Sequence, residues 1–196
     1  MKALLLKDAY QMKAYCKSML LVVGVFGVES LFSQDNPFFF FYPILMMGLL
    51  PVSLLSYDER SHWNEFCGCL PVSKGTIVGE KYLLGLLLVV PTAAVLTAFR
   101  GLGAAISGNF VLTDLTQLSG LTLASGLLSI ELCMPFFFKF GVEKGRIVYY
   151  VAICVFCAAC FAVKTLPPLP TLATPAVLAA AAIGYAVSWR LSVTMY

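Results

Sequence analysis

Apolar runs about as long as a membrane crossing, separated by short polar breaks, set the organisation of this chain. Six stretches stand out, at 18–32, 38–57, 82–99, 112–138, 147–163 and 172–189. A hydrocarbon core about 30 Å thick takes roughly 20 apolar residues per helix. The runs are continuous rather than alternating, which excludes barrel strands. Backbone groups in lipid must be paired within their own segment, so the runs are expected to be helices. The pattern predicts an all-α integral membrane protein of about six transmembrane helices, forming one domain over 1–196. The breaks at 34–37, 100–113 and 164–170 are short, and Pro167, Pro168 and Pro170 forbid a helix in the last. No internal repeat or low-complexity linker divides the chain.

Composition sharpens this picture. Of 196 residues, 60% are hydrophobic and only 12% charged, where a soluble domain carries about 25% charged residues. Placing the first residue inside puts eleven of the thirteen Lys and Arg on the cytoplasmic face and leaves Arg100 and Lys164 outside, as the positive-inside rule requires. Both termini are therefore expected in the cytoplasm. The net charge of +3 is a topology signal and implies no nucleic-acid partner. Residues 1–17 have an apolar run too short for a signal peptide, interrupted at once by Lys7 and Asp8. They are expected to form an amphipathic helix at the inner interface, with Lys2, Lys7 and Lys13 towards headgroups and water; a frayed basic leader is the alternative. The aromatic run Phe38 to Tyr42 is expected to anchor at the outer headgroups.

Little in the spans suggests catalysis. Cys154, Cys157 and Cys160 have a spacing that could ligate a cluster, yet on an apolar helix that spacing puts small side chains on one packing stripe. Cys67 and Cys69 would need further ligands, and His62 is the only histidine. A phosphate-binding loop is approached by Gly75 to Tyr82 but lacks a residue between its glycines and has Glu80 in place of the required Lys. No cofactor is expected in this chain. Glu131 is the one acid placed well inside a span. An acid there costs about 2.5 to 3.5 kcal/mol on insertion scales, which several Leu or Phe residues offset. It is either a polar point on a pathway or between helices, or an acid near enough to the inner headgroups to reach water. Pro135, four residues on, removes a hydrogen bond to the Glu131 carbonyl and predicts a kink there.

The polar surface is concentrated in one island, 58–81, between the second and third spans. Trp63, Phe66, Cys67 and Leu70 share one helical face, and His62, Glu65 and Cys69 lie towards another. Leu70 and Pro71 end that short helix, and Ser73 is placed to cap the helix that re-enters the membrane. A surface helix lying against headgroups would also fit. The run Tyr57-Asp58-Glu59-Arg60 with Trp63, then Leu70-Pro71-Val72-Ser73-Lys74, Ile77-Val78 and Lys81-Tyr82, resembles the segment after the second helix of small ABC-2 type transporter permeases. The opening, Leu4-Leu5-Leu6-Lys7-Asp8 with Tyr10 and Lys13, is similar to their N-terminal interfacial helix. The chain also resembles the permease subunits of phenol-soluble modulin exporters of Gram-positive bacteria, which export short amphipathic toxin peptides.

The resemblance implies a plasma-membrane subunit that is not itself an enzyme. A separate ABC ATPase would bind ATP and Mg, and a second permease chain, identical or related, would complete the transporter. It implies a coupling helix around 61–69, with Trp63, Phe66 and Leu70 seated on the ATPase and Asp58, Glu59, Arg60, Pro71, Ser73 and Lys74 around them. Gly68 departs from a regular helix there. Two other readings stay open on the residues alone. One is a substrate-capturing membrane subunit of a vitamin importer. The other is an intramembrane enzyme using Glu131, for which the spans offer no second catalytic group.

Overall fold

The computed structural model describes residues 2–32, 38–69, 71–108, 111–163 and 173–196. Its elements are α1 (Lys2–Phe32), α2 (Phe38–Gly48), α3 (Leu50–Arg60), α4 (Trp63–Gly68), α5 (Lys74–Ile106), α6 (Leu112–Val163) and α7 (Ala173–Met195). Among the described residues there is no strand. Four stretches, Phe38–Arg60, Lys74–Ile106, Leu112–Val142 and Thr174–Met195, are long and apolar enough to cross a membrane. Taken as one span, the bent pair in α1, where Leu4–Lys13 and Lys17–Leu31 meet at 68°, makes a fifth. That bend falls where the interfacial helix was expected to give way to a span. The expected span at 147–163 is helical and forms the end of α6, but most of its side chains lie outside the described residues, as do Leu70 and the breaks at 34–37 and 164–170.

Two helices differ from the sequence expectation. The helix expected over 82–99 is α5, which runs unbroken from Lys74 to Ile106, 33 residues, or about 50 Å at 1.5 Å per residue. Arg100 is thus inside a helix and not in a loop. Ser73 takes the extended N-cap conformation, although its hydroxyl meets Thr76 Oγ1 at 2.8 Å instead of a backbone N–H. Pro91 sits inside α5 and removes one backbone donor.

The second difference is the kink in α6. Helical dihedrals persist through Pro135, and the break comes at Gly141, with φ 76° and ψ 173°. Ser188 Oγ on α7 donates to the Glu131 carbonyl at 2.8 Å. That is the acceptor which Pro135 leaves without its helical donor, and a hydroxyl on a neighbouring helix satisfies it without a bend. At Gly141 the φ/ψ pair is one that glycine alone adopts readily.

A core of Ile44, Met47, Val89, Leu96, Ile130, Met134 and Phe137 joins the Phe38–Arg60 span, α5 and α6. Gly126 permits this approach, since a Cβ there would lie 2.6 Å from Val89 Cγ1 and 3.1 Å from Ile44 Cγ1. The aromatic run packs inward as well as outward: Phe26 of α1 meets the Tyr42 ring at 5.2 Å. Near it, the Arg100 guanidinium lies 5.5 Å from the Phe40 ring centre. The residues of the polar island gather at the other end of α5.

Candidate functional site

Helix α4 is formed by a sharp reversal after α3. His62 takes left-handed dihedrals, with φ 52°, and its carbonyl accepts from the Glu65 and Phe66 N–H groups at 3.2 and 3.3 Å. The single turn and a half that follows puts its groups on different sides. Phe66 is 57% exposed, and His62 and Glu65 pair in solvent at 3.2 Å. Cys67 is buried and Cys69 exposed, so they do not form one thiol site, and burial pushes the Cys67 thiol up. Among the described residues no group of three or more His, Cys, Asp or Glu is arranged to hold a metal. Trp63 is half-buried. Its ring stands 5.4 Å from Phe66 and carries the Lys7 ammonium 4.4 Å above it, a cation–π contact.

Lys7 is the entry to a buried charge cluster that sequence reasoning did not find. Its ammonium bonds Asp58 Oδ1 and lies 3.2 Å from Asp8 Oδ1. Lys81 Nζ donates to Asp8 Oδ2 at 2.5 Å and to Asp58 Oδ2 at 2.7 Å. Asp8, Asp58, Glu80 and Lys81 are each at most 2% exposed. The four partners come from α1, the end of α3 and the first turns of α5, so one cluster ties three helices. Glu80 is a third acid beside two ammoniums, 3.9 Å from Lys81, with Oε1 buried and unpaired. In α1, Leu4, Asp8 and Met12 are buried while Leu6 and Tyr10 are exposed. Lys7, expected towards headgroups, is turned into the protein by these carboxylates.

The neighbouring Glu59 makes a second joint. Its carboxylate accepts from the Val142 N–H at 3.1 Å to Oε2, so it caps the helix that restarts after the break at Gly141. A Cβ on Gly141 would lie 2.8 Å from Glu59 Oε1. The sequence reading set Asp58 and Glu59 together with Arg60 around a docking partner. The structure separates them: Asp58 faces α1 and α5, Glu59 faces α6, and Arg60 remains exposed. Pro71, Ser73 and Lys74 are exposed too; Lys74 Nζ donates to the Tyr196 carbonyl at 3.1 Å.

Glu131 lies apart from this cluster, between α6 and α7. Its carboxylate rests against Gly184, where any side chain would collide with it, and Oε2 is buried with no hydrogen-bond partner. A groove of about 420 Å³ opens beside it. Ser188 links its carbonyl back to α5, because the Tyr82 hydroxyl meets Ser188 Oγ at 2.7 Å and Ser192 Oγ at 2.8 Å. Tyr185 OH in turn donates to the Tyr82 carbonyl at 2.6 Å. Lys81 and Tyr82, consecutive on α5, thus point to the two sites separately. A signal for the cluster was present in the sequence: Asp8 and Lys81 interrupt otherwise apolar helical stripes at Leu4/Met12 and Val78/Leu84.

These features define a multi-pass helical membrane protein whose polar segment 58–81 is tied by charge to the ends of its membrane helices. The description "ABC-2 family transporter protein" matches residues 3–196, and the chain belongs to that family. Its members are in general the non-catalytic membrane components of ABC transporters, working with an ATPase subunit. No curated protein and no solved structure matches the chain.

Proposed function

We propose that this chain is the permease subunit of an ATP-driven exporter of amphipathic or hydrophobic peptides. A separate ATPase subunit, holding ATP and Mg, docks on the cytoplasmic face against α4, and a second permease chain completes the transport path. The observation that carries this reading is the joining of α4 to the spans. Force on Trp63 reaches Lys7, and through Asp58 and Lys81 it reaches α1 and α5; force on the end of α3 reaches α6 through Glu59. A partner can drive a conformational change only through contacts that differ between the two states, and paired charges that tie several helices are suited to moving them as one. The docking surface consists of Phe66, Arg60, Pro71, Ser73 and Lys74, with Trp63 as the anchor that connects surface to interior; Leu70 is assigned to it by the family resemblance alone. Asp58 and Glu59 act behind that surface. Glu131 is a polar point on the path. Peptide cargo rests on family analogy alone, the likeness of the chain to phenol-soluble modulin exporter permeases.

The test is gentle solubilisation of the tagged chain and identification of what copurifies. An ATPase subunit that stays with the wild type and is lost from a folded Phe66→Ala variant supports the reading. Phe66 is chosen because its exposure makes a folding defect small. Retention of the same ATPase by Phe66→Ala and by Trp63→Ala would remove α4 as the docking element.

A further inference from the structure

The buried cluster at the foot of α5 does not balance in charge. Asp8, Asp58 and Glu80 meet the ammoniums of Lys7 and Lys81, so with every group ionised one negative charge is in excess. The three acids are each at most 2% exposed, and an uncompensated charge is costly in such a place. The Asp8 and Glu80 carboxyl groups, on α1 and α5, stand within hydrogen-bonding reach of each other. Ionised carboxylates only accept hydrogen bonds, so a contact between two acids requires a proton. In addition, Asp8 Oδ1 and Glu80 Oε1 are both buried without a donor. Lys7 Nζ is 3.2 Å from Asp8 Oδ1, but its hydrogen bond goes to Asp58. Lys81 donates to Asp8 Oδ2 and Asp58 Oδ2. The other titratable groups that face the cluster are Cys67 of α4 and Tyr196, next after α7. A thiol and a phenol add no charge to it at neutral pH.

We infer that the cluster holds one proton, carried on Glu80 and donated to Asp8, and that this proton closes a clasp between α1 and α5. With the proton in place the charges balance, and a hydrogen bond crosses from one helix to the other beside the Lys81 bond. Without it two carboxylates face each other and repel, and Lys81 has to offset that repulsion. The pH on this face of the membrane thereby sets how firmly the first helix is held to the foot of α5. This inference depends neither on the cargo nor on ATPase docking.

The test is infrared spectroscopy of the full chain in an ester-free detergent, with the glutamate side-chain carboxyl carbons isotopically labelled. A protonated carboxyl group absorbs apart from an ionised one, and the label assigns the band to glutamate. At neutral pH part of that acid band should be lost in Glu80→Gln, whose amide donates to Asp8 in the proton's place. Asp8→Asn should remove the same part while leaving Glu80 present, because the charges then balance and the new amide supplies the donor. Raising the pH until this part disappears should speed amide exchange over residues 4–12 of the wild type. The expected change is about tenfold relative to Glu80→Gln at the same pH, the scale of one hydrogen bond to a charged group. An acid band that is the same in wild type, Glu80→Gln and Asp8→Asn at neutral pH overturns the proposal. So does exchange that stays equal in wild type and Glu80→Gln once the band has gone.

Discussion

Asp58 is buried and Glu131 half-buried, and these two acids beside apolar runs have opposite fates. Asp58 is met by two ammoniums from two other helices, at the foot of the bundle. Glu131 rests against Gly184, and its buried Oε2 has no hydrogen-bond partner. A buried charge with complete partners holds its helices in register, because removing either side leaves the other uncompensated. A carboxylate that meets no ammonium between two helices holds neither of them by charge. The difference separates a joint from a site by partner count, where sequence position shows only two acids next to apolar runs.

The largest effect should come from breaking the joint. Asp58→Ala leaves Lys7 and Lys81 short of an acceptor and should lower unfolding free energy by about 3 to 5 kcal/mol, measured by denaturant unfolding in detergent. Adding Lys81→Met to it should cost less than the sum of the two single changes, since the pair is coupled. Next is Trp63→Ala, which empties an aromatic anchor and should weaken ATPase binding by about 2 kcal/mol, read from the dissociation constant of the reconstituted pair. Gly141→Ala should cost about 1 to 3 kcal/mol, as it combines a strained φ with a collision against Glu59. Glu131→Gln should be the smallest, within about 0.5 kcal/mol of wild type, because no partner is lost. If it destabilised as much as Asp58→Ala, the contrast between joint and site would collapse.

The helices were readable because lipid leaves the backbone few options, and continuous apolar runs announce that solvent directly. The place of the bend in α6 was not. Pro135 draws attention as a breaker, but its consequence depends on whether a donor from elsewhere reaches the Glu131 carbonyl, and Ser188 is 57 residues away. Gly141 had a weaker local sign, a glycine just after Lys139 in the manner of a helix end. The polar island itself was plain from its charge, whereas the division of labour inside it was not. Asp58 and Glu59 are adjacent, and on a helix that places them about 100° apart, so two different helices can claim them. Their partners lie 51 and 83 residues away, a separation that no local pattern encodes.

Helix α5 has a mechanical consequence. It is fastened to α1 at both ends: Lys81 bonds Asp8 at its foot, and a Cβ on Gly103, near its other end, would lie 3.2 Å from the Leu31 Cα. Two rods clamped at both ends act as one plank, so a push delivered at Asp8 or Lys81 is carried by α1 and α5 together over about 50 Å.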